Sequence, residues 1–287
     1  MSAVQVTGVQ GTGLQWWCSA QGVPWTWAWR PYPGVWLFML AVAALYLGPA
    51  WRARGAADPR PPLRRAAGWA GLALLWISLD WPVGALGGGY LASIHMAQYL
   101  LLALIVPPLL VAGMPPATHA AVERRPWLAA AVHALTKPLV AVALFMITFL
   151  ATHAPPVTDA LMATQLGSLF LDVTWLVTGI LFWWPLVGTP PRRRTLPAPA
   201  RIACLIAGAV PHTPIAMWMI LASYPLYATF ELAPRVYGFD ARSDQQVAGG
   251  IMILVGGLFV LGMLTAIFMR WQGTGEERER PLHVPTI

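Results

Sequence analysis

The sequence predicts an all-α, polytopic membrane bundle of about seven transmembrane helices, with the N-terminus outside and the C-terminus in the cytoplasm. Of its 287 residues, 57% are hydrophobic and only 10% are charged, whereas soluble domains carry roughly 25% charged residues. Several apolar runs approach the roughly 20 residues that a helix needs to span a bilayer. Basic residues gather in alternate connections between these runs, which is typical of a chain that crosses the membrane repeatedly.

Hydropathy divides the chain into a lead, a membrane domain and a tail. The predicted spans cover 34–51, 66–83, 91–113, 138–154, 166–188, 202–229 and 247–270. The fourth span is short, and it is kept because the charge pattern requires a crossing there. The resulting domains are a Trp-rich extracytoplasmic lead over 1–33, the seven-span domain over 34–270 and a cytoplasmic tail over 271–287.

The basic residues fix the predicted orientation. Fifteen of the 18 fall after spans one, three, five and seven, and only Arg30, Arg235 and Arg242 fall on the other side. Cytoplasmic loops are the ones enriched in Lys and Arg, so this asymmetry places the chain in the bacterial inner (cytoplasmic) membrane with its N-terminus outside. The net charge of +7 is therefore explained by topology, and we expect membrane lipid but no nucleic acid as a partner.

The lead is rich in tryptophan and contains one of the two cysteines. Tryptophan prefers the membrane–water interface, so we expect the lead to lie on the membrane surface, without a stable fold of its own. We expect Cys18, beside Trp16 and Trp17, to be exposed on the outer side, where it could relay a metal. Cys204 is predicted to lie on the opposite side, so the two cysteines should not pair.

Polar residues within the predicted spans concentrate toward the outer leaflet. Hydrocarbon penalises polar groups, so those inside a span usually have a partner or a task. His95 and Tyr99, like Ser168 and Asp172, lie four residues apart and share a helix face. The candidate metal residues in this layer are His95, His153, Met96, Asp172 and Met252. Imidazole with thioether suits copper, so Cu(I) is the predicted cofactor.

Each of these residues also has a structural interpretation. A methionine in a span can be apolar filler, and a histidine near a helix end can simply hydrogen-bond a carbonyl or water. Asp172 could be a ligand, a proton relay, a partner that orients a histidine, or one side of a helix–helix hydrogen bond. His212, between Pro211 and Pro214, is interpreted as repairing backbone that the prolines leave unpaired. No nucleophile–base arrangement or phosphate-binding loop occurs, so we expect no enzyme.

Several short blocks resemble the multi-pass CtaG family of cytochrome c oxidase assembly factors. They are His95–Gln98, Pro107–Pro115, His153 with Pro155, Gly179–Pro185, Pro225–Tyr227 and Asp244–Met252. The resemblance extends over about residues 90–255. It implies seven spans and a role in maturing a haem–copper oxidase by delivering copper to its catalytic subunit. It carries His95 and His153 over as site residues, with Asp159 and Asp244 as matched positions of no assigned role.

The chain departs from the family pattern at three positions. Tyr99, Ser168 and Asp172 stand where the resemblance leads us to expect histidine. Two interpretations follow: this chain holds copper with fewer ligands, or it keeps the scaffold and has lost the metal.

Three other functions stay open at this point. A metal-free scaffold would dock on an oxidase or another membrane complex. A haem-binding redox protein would use His95 and His153 as axial ligands from adjacent spans. A proton-coupled transporter using Asp172 is less favoured, because we find no paired broken helices in two related halves.

Overall fold

A computed structural model describes residues 14–53, 58–188 and 196–279, with the side chains up to residue 273. Every regular element in these ranges is a helix, which confirms the all-α prediction. We number the helices α1 (Pro33–Arg52), α2 (Pro62–Leu79), α3 (Val83–Gly87), α4 (Ala92–Ala112), α5 (Pro116–Glu123), α6 (Pro126–Leu135), α7 (Pro138–Thr152), α8 (Pro155–Met162), α9 (Gln165–Val187), α10 (Ala198–Leu221), α11 (Ala228–Glu231) and α12 (Ala241 to Glu279). Proline opens many of them, since its fixed φ suits the first helical position, where no N–H bond is needed.

Among the described residues, five helices are long and apolar enough to cross a membrane: α1, α4, α9, α10 and α12. The pair α6 and α7, bent by 75°, makes a sixth if the two count as one span. The predicted second span corresponds to α2, whose 18 residues include Arg64 and Arg65. The count of seven and the orientation stay predictions. Arg54, Arg192, Arg193, Arg194 and the stretches 1–13 and 280–287 lie outside the described residues.

The end of the sixth predicted span and the start of the seventh differ from the helix ends in the structure, each for an identifiable reason. The sixth span was extended to 229, but α10 ends at Leu221, because the residue before Pro225 is disfavoured in helical conformation. The seventh span was started at 247, but α12 begins at Ala241, where the Asp240 side chain accepts a hydrogen bond from the Ser243 N–H at 3.1 Å. Polar residues after Asp240 therefore belong to the helix, although their hydropathy resembles that of a loop.

Three of the long helices are irregular near their middle. A π-helical turn spans Leu101–Ile105 in α4, just before Pro107 and Pro108, and a second spans Met252–Gly256 in α12. The helix α10 is interrupted between Ala209 and His212. Such irregular turns often mark functional positions, because they redirect side chains into a bundle.

The lead packs across one end of the bundle, which we call the lead end. The backbone N–H groups of Trp16 and Trp17 donate to Oε1 of Gln165 at 2.7 and 3.0 Å, at the start of α9. The Trp17 side chain is 1% exposed and Cys18 is 3% exposed. The prediction that Cys18 is exposed was therefore wrong: its thiol faces the Leu79 carbonyl at 3.4 Å inside the junction between the lead and α2.

Candidate functional site

Six side chains from four parts of the bundle form one group, which we call the aromatic–imidazole cluster. Its members are His95 and Tyr99 of α4, Phe149 of α7, His153 directly after α7, Trp175 of α9 and His212 of α10. Tyr99, Phe149, His153 and Trp175 are buried, while His95 and His212 keep some accessible surface.

Tyr99 is at the centre of the cluster. Its ring lies 4.8 Å from the His153 ring and 5.1 Å from the Trp175 ring, centroid to centroid. Its hydroxyl oxygen is 2.9 Å from Nε2 of His212. The His95 ring, one helix turn away, contacts Trp175 at 5.1 Å. The structure therefore places the predicted residues His95 and His153 on two sides of one aromatic group, without a ring contact between them.

The imidazoles differ in how their nitrogens are used. Nδ1 of His153 is 2.9 Å from the Phe149 carbonyl oxygen, so this nitrogen donates and Nε2 is left with the lone pair. Nδ1 of His95 is buried without a well-aligned hydrogen-bond partner among the described residues, although the Gly87 backbone lies beside the ring.

The sequence analysis did not place His212 in the candidate site, and it did not single out Phe149 or Trp175. We interpreted His212 as repairing the backbone at the Pro-His-Thr-Pro break; the backbone of Gly208 and Ala209 does lie beside its ring, and its Nε2 also meets the Tyr99 hydroxyl. The break itself was the signal, because an interruption at mid-depth in an apolar helix is tolerated where it faces protein or a cavity. Its partner is 113 residues away in the chain, and no local pattern specifies that pairing.

Asp172 has a different environment from the imidazoles. Its Oδ2 accepts from the Trp17 indole N–H at 2.9 Å, and its Oδ1 accepts from the Gln98 amide at 3.2 Å. Both partners are neutral donors, and together they join the lead, α4 and α9. Of the roles left open for Asp172, the structure shows the hydrogen bond between helices.

Three other aspartates at the lead end are held in a similar way. Asp80 accepts from the indole N–H groups of Trp36 and Trp76 at 3.0 and 2.7 Å. Asp159 accepts from the Thr229 N–H at 2.9 Å at the start of α11. The carboxylate of Asp244 accepts from the N–H of Ala92 at 2.5 Å and from the Ser93 hydroxyl, and so caps α4 from another helix.

The two glutamines after Asp244 secure the end of α10. The Leu226 N–H donates to Oε1 of Gln245 at 2.6 Å, and the Gln245 amide donates to the Met219 carbonyl at 3.0 Å. The Gln246 amide donates to the Ile220 carbonyl, also at 3.0 Å. This block therefore fixes the start of α4 and the end of α10. These two helices carry the cluster residues His95, Tyr99 and His212.

The five predicted metal residues do not converge on one place. His95 and His153 belong to the cluster, and Asp172 belongs to the junction with the lead. Met96 is buried beside His95 in the chain, and Met252 lines a separate cavity that also touches His212. Within the described ranges, no three His, Cys, Asp or Glu side chains converge as a metal site. The metal assignment stays a prediction, carried by the imidazoles.

These features define a class: a helical membrane protein whose long apolar helices enclose an aromatic–imidazole cluster and whose Trp-rich lead packs across one end of the bundle. The profile of the cytochrome c oxidase caa3 assembly factor family (Caa3_CtaG) matches residues 44–274. The chain belongs to this family, which confirms the resemblance recognised in the sequence blocks.

Three curated relatives match most of this chain, but their descriptions give no function. An uncharacterised protein of Mycobacterium bovis and one of Mycobacterium tuberculosis are each 29% identical over 227 residues, covering 73% of this chain and 34% of the relative. An uncharacterised protein of Mycobacterium leprae is 27% identical over 262 residues, covering 83% of this chain and 39% of the relative. The chain thus spans about a third of the length of these relatives. No solved structure matches it.

Proposed function

We propose that this protein is a non-enzymatic, membrane-embedded factor that handles copper during assembly of a haem–copper cytochrome c oxidase. Membership of the caa3 assembly factor family supports the oxidase as partner. The observation that carries the copper proposal is the contact of His153 and His212 with Tyr99, with His95 one helix turn along α4 against Trp175. Imidazole and thioether donors suit copper better than they suit magnesium or calcium.

His95 and His153 are the proposed nitrogen donors to the copper cargo. Met96 of α4 and Met252 of α12, both buried, are the proposed thioether donors. Asp172 supports them indirectly, because its partner Gln98 is three residues from His95 on α4. With the orientation that the basic loops favour, the cluster faces the outer leaflet of the bacterial inner membrane, and seven spans, including α2 and α7, complete the bundle. The residues 1–33 then form the extracytoplasmic lead, 34–270 the membrane domain and 271–287 the cytoplasmic tail.

The copper proposal is tested on the full chain, purified in detergent and loaded with Cu(I) under reducing conditions. Wild type should retain stoichiometric copper, and the double variant His95→Ala/His153→Ala should lose it. His133→Ala is the matched control, since this imidazole lies on α6 with an exposed side chain. Equal copper in all three well-folded preparations would contradict the assignment.

A metal-free scaffold is the second candidate, and one observation favours it. Asp172, where the resemblance leads us to expect histidine, is fully engaged with Trp17 and Gln98, as a structural residue would be. A folded protein that binds no copper but co-purifies with oxidase subunits would support the scaffold. A haem between His95 and His153 has less support, because the Tyr99 ring already lies against His153 at 4.8 Å.

A further inference from the structure

Two arginines from different helices meet at the end of the bundle away from the lead. Arg201 stands in the first turn of α10, and Arg270 stands in the last third of α12, which packs against that half of α10. The Arg270 guanidinium lies close enough to Arg201 for the two charges to repel each other. Neither the family membership nor the proposed copper role assigns a function to this pair.

No acidic side chain offsets this repulsion among the described residues. An acid three or four places away on a helix could pair with an arginine, but neither Arg201 nor Arg270 has one at those positions. The acidic side chains described at this end of the bundle are engaged elsewhere. Asp58 pairs with an arginine of its own connection at 2.7 Å, and Glu123 contacts a histidine of α6 at 3.1 Å. The two positive charges therefore lack a counter-ion within the described part of the chain.

Both guanidinium groups can be reached from outside the protein. Arg270 is exposed, and Arg201 is partly exposed. Nε of Arg201 is covered and has no hydrogen-bond partner among the described residues, whereas its two terminal nitrogens are not covered in this way. These terminal nitrogens, with those of Arg270, are the donors that a ligand would contact.

The ligand that fits these donors is a phosphate. A guanidinium group offers a planar pair of N–H donors that matches phosphate oxygens, and two such groups can hold one phosphate from two sides. The start of α10 adds positive potential, because this helix begins without a side-chain cap and a helix N-terminus carries a partial positive charge. The site therefore favours an anion with several acceptor oxygens.

The surface around Arg270 indicates that the phosphate belongs to a lipid. Met269 and Trp271, on either side of it in the chain, are 61% and 48% exposed, and Phe268 is 42% exposed. Exposed apolar side chains of a membrane helix face hydrocarbon, and tryptophan prefers the head-group level. The predicted orientation places this end in the cytoplasm, where basic pockets between membrane helices bind lipid head groups.

We propose that Arg201 and Arg270 bind the phosphate of an anionic glycerophospholipid, whose acyl chains lie along the exposed apolar surface of α12. A soluble phosphate shares the charge chemistry, but it would gain nothing from the neighbouring apolar surface. The site is independent of the copper proposal, because neither arginine belongs to the aromatic–imidazole cluster or to the predicted metal residues.

The test titrates phosphatidylglycerol into the full chain in a non-ionic detergent and follows binding by native mass spectrometry. Phosphatidylcholine with the same acyl chains is the probe without net charge. Wild type should bind phosphatidylglycerol saturably and in preference to phosphatidylcholine. Arg201→Gln/Arg270→Gln should weaken phosphatidylglycerol binding roughly 30-fold, the loss expected for two basic residues at a lipid surface. This variant removes a repulsion between like charges, so it should fold at least as well as wild type, which thermal unfolding without added lipid checks.

Arg124→Gln/Arg125→Gln is the matched control, because it removes the same charge from two exposed residues in the connection between α5 and α6. It should bind phosphatidylglycerol like wild type. The proposal is overturned if the two double variants bind phosphatidylglycerol equally, or if wild type binds phosphatidylcholine as tightly. Displacement of phosphatidylglycerol by inorganic phosphate at equal concentration would assign the site to a soluble anion and would also contradict the lipid.

Discussion

The indole N–H of Trp17 donates to Oδ2 of Asp172 at 2.9 Å, across 155 residues of sequence. This bond joins the lead to α9 two turns after the start of that helix, and both side chains are buried. The hydrogen-bond partners of Asp172 are both neutral. Loss of either donor would leave a buried acceptor oxygen unpaired, which costs about 1–3 kcal/mol. The bond therefore fastens the lead to α9.

Trp17→Phe should loosen the lead and expose Cys18. The phenyl ring keeps the packing but cannot donate to Asp172, so opening should become roughly 5- to 150-fold more frequent if it costs 1–3 kcal/mol less. The measurement is the rate at which Cys18 reacts with a membrane-impermeant maleimide, in a Cys204→Ser background. Trp29→Phe, at a tryptophan that is 61% exposed, should leave the rate unchanged. Identical rates for Trp17→Phe and wild type would mean that the bond does not hold the lead.

Asp244→Ala should destabilise the start of α4. It removes the acceptor for the Ala92 and Ser93 N–H groups and for the Ser93 hydroxyl. Loss of a helix cap costs about 0.5–2 kcal/mol, and the buried position places this variant at the upper end of that range. Thermal unfolding in detergent measures the effect. Asp240→Ala removes the exposed cap of α12 and is the control, with a smaller expected loss. A smaller loss for Asp244→Ala than for Asp240→Ala would contradict this role.

The helices could be predicted from the sequence because hydropathy and proline act locally. In runs such as Ala92–Ala112 and Gln165–Val187, the number of consecutive apolar residues indicates the length of the helix. The interior of the site could not be predicted in the same way. The hydrogen bonds between His212 and Tyr99 and between Asp172 and Trp17 form because distant segments pack together. No spacing in the chain therefore indicates either pair. Cys18 was misplaced for the same reason: a short polar lead gives no signal that it will be buried.

Tyr99→His should strengthen copper binding. The family resemblance leads us to expect histidine at this position, and a ring here lies 4.8 Å from His153 and within reach of His212. A third imidazole adds a donor type that copper prefers. Competition against a Cu(I) chelator measures the affinity. Tyr99→Phe, which removes the hydroxyl without adding a ligand, should bind no more tightly than wild type. An unchanged affinity in Tyr99→His would argue for the metal-free scaffold.

Gly113→Ala should disrupt the crossing of α2 and α4. A Cβ on Gly113 would overlap the Gly68 backbone and lie 2.8 Å from the Arg64 carbonyl oxygen, so the helices would have to separate. Forcing an extra methyl group into packed structure typically costs about 1–3 kcal/mol. Thermal unfolding in detergent, with Gly48→Ala as control, measures the difference. A Cβ on Gly48 meets nothing within 4 Å in the interior of α1, so that variant should gain up to about 1 kcal/mol from better helix propensity. If the two variants were equally stable, close backbone contact would not be what holds α2 against α4.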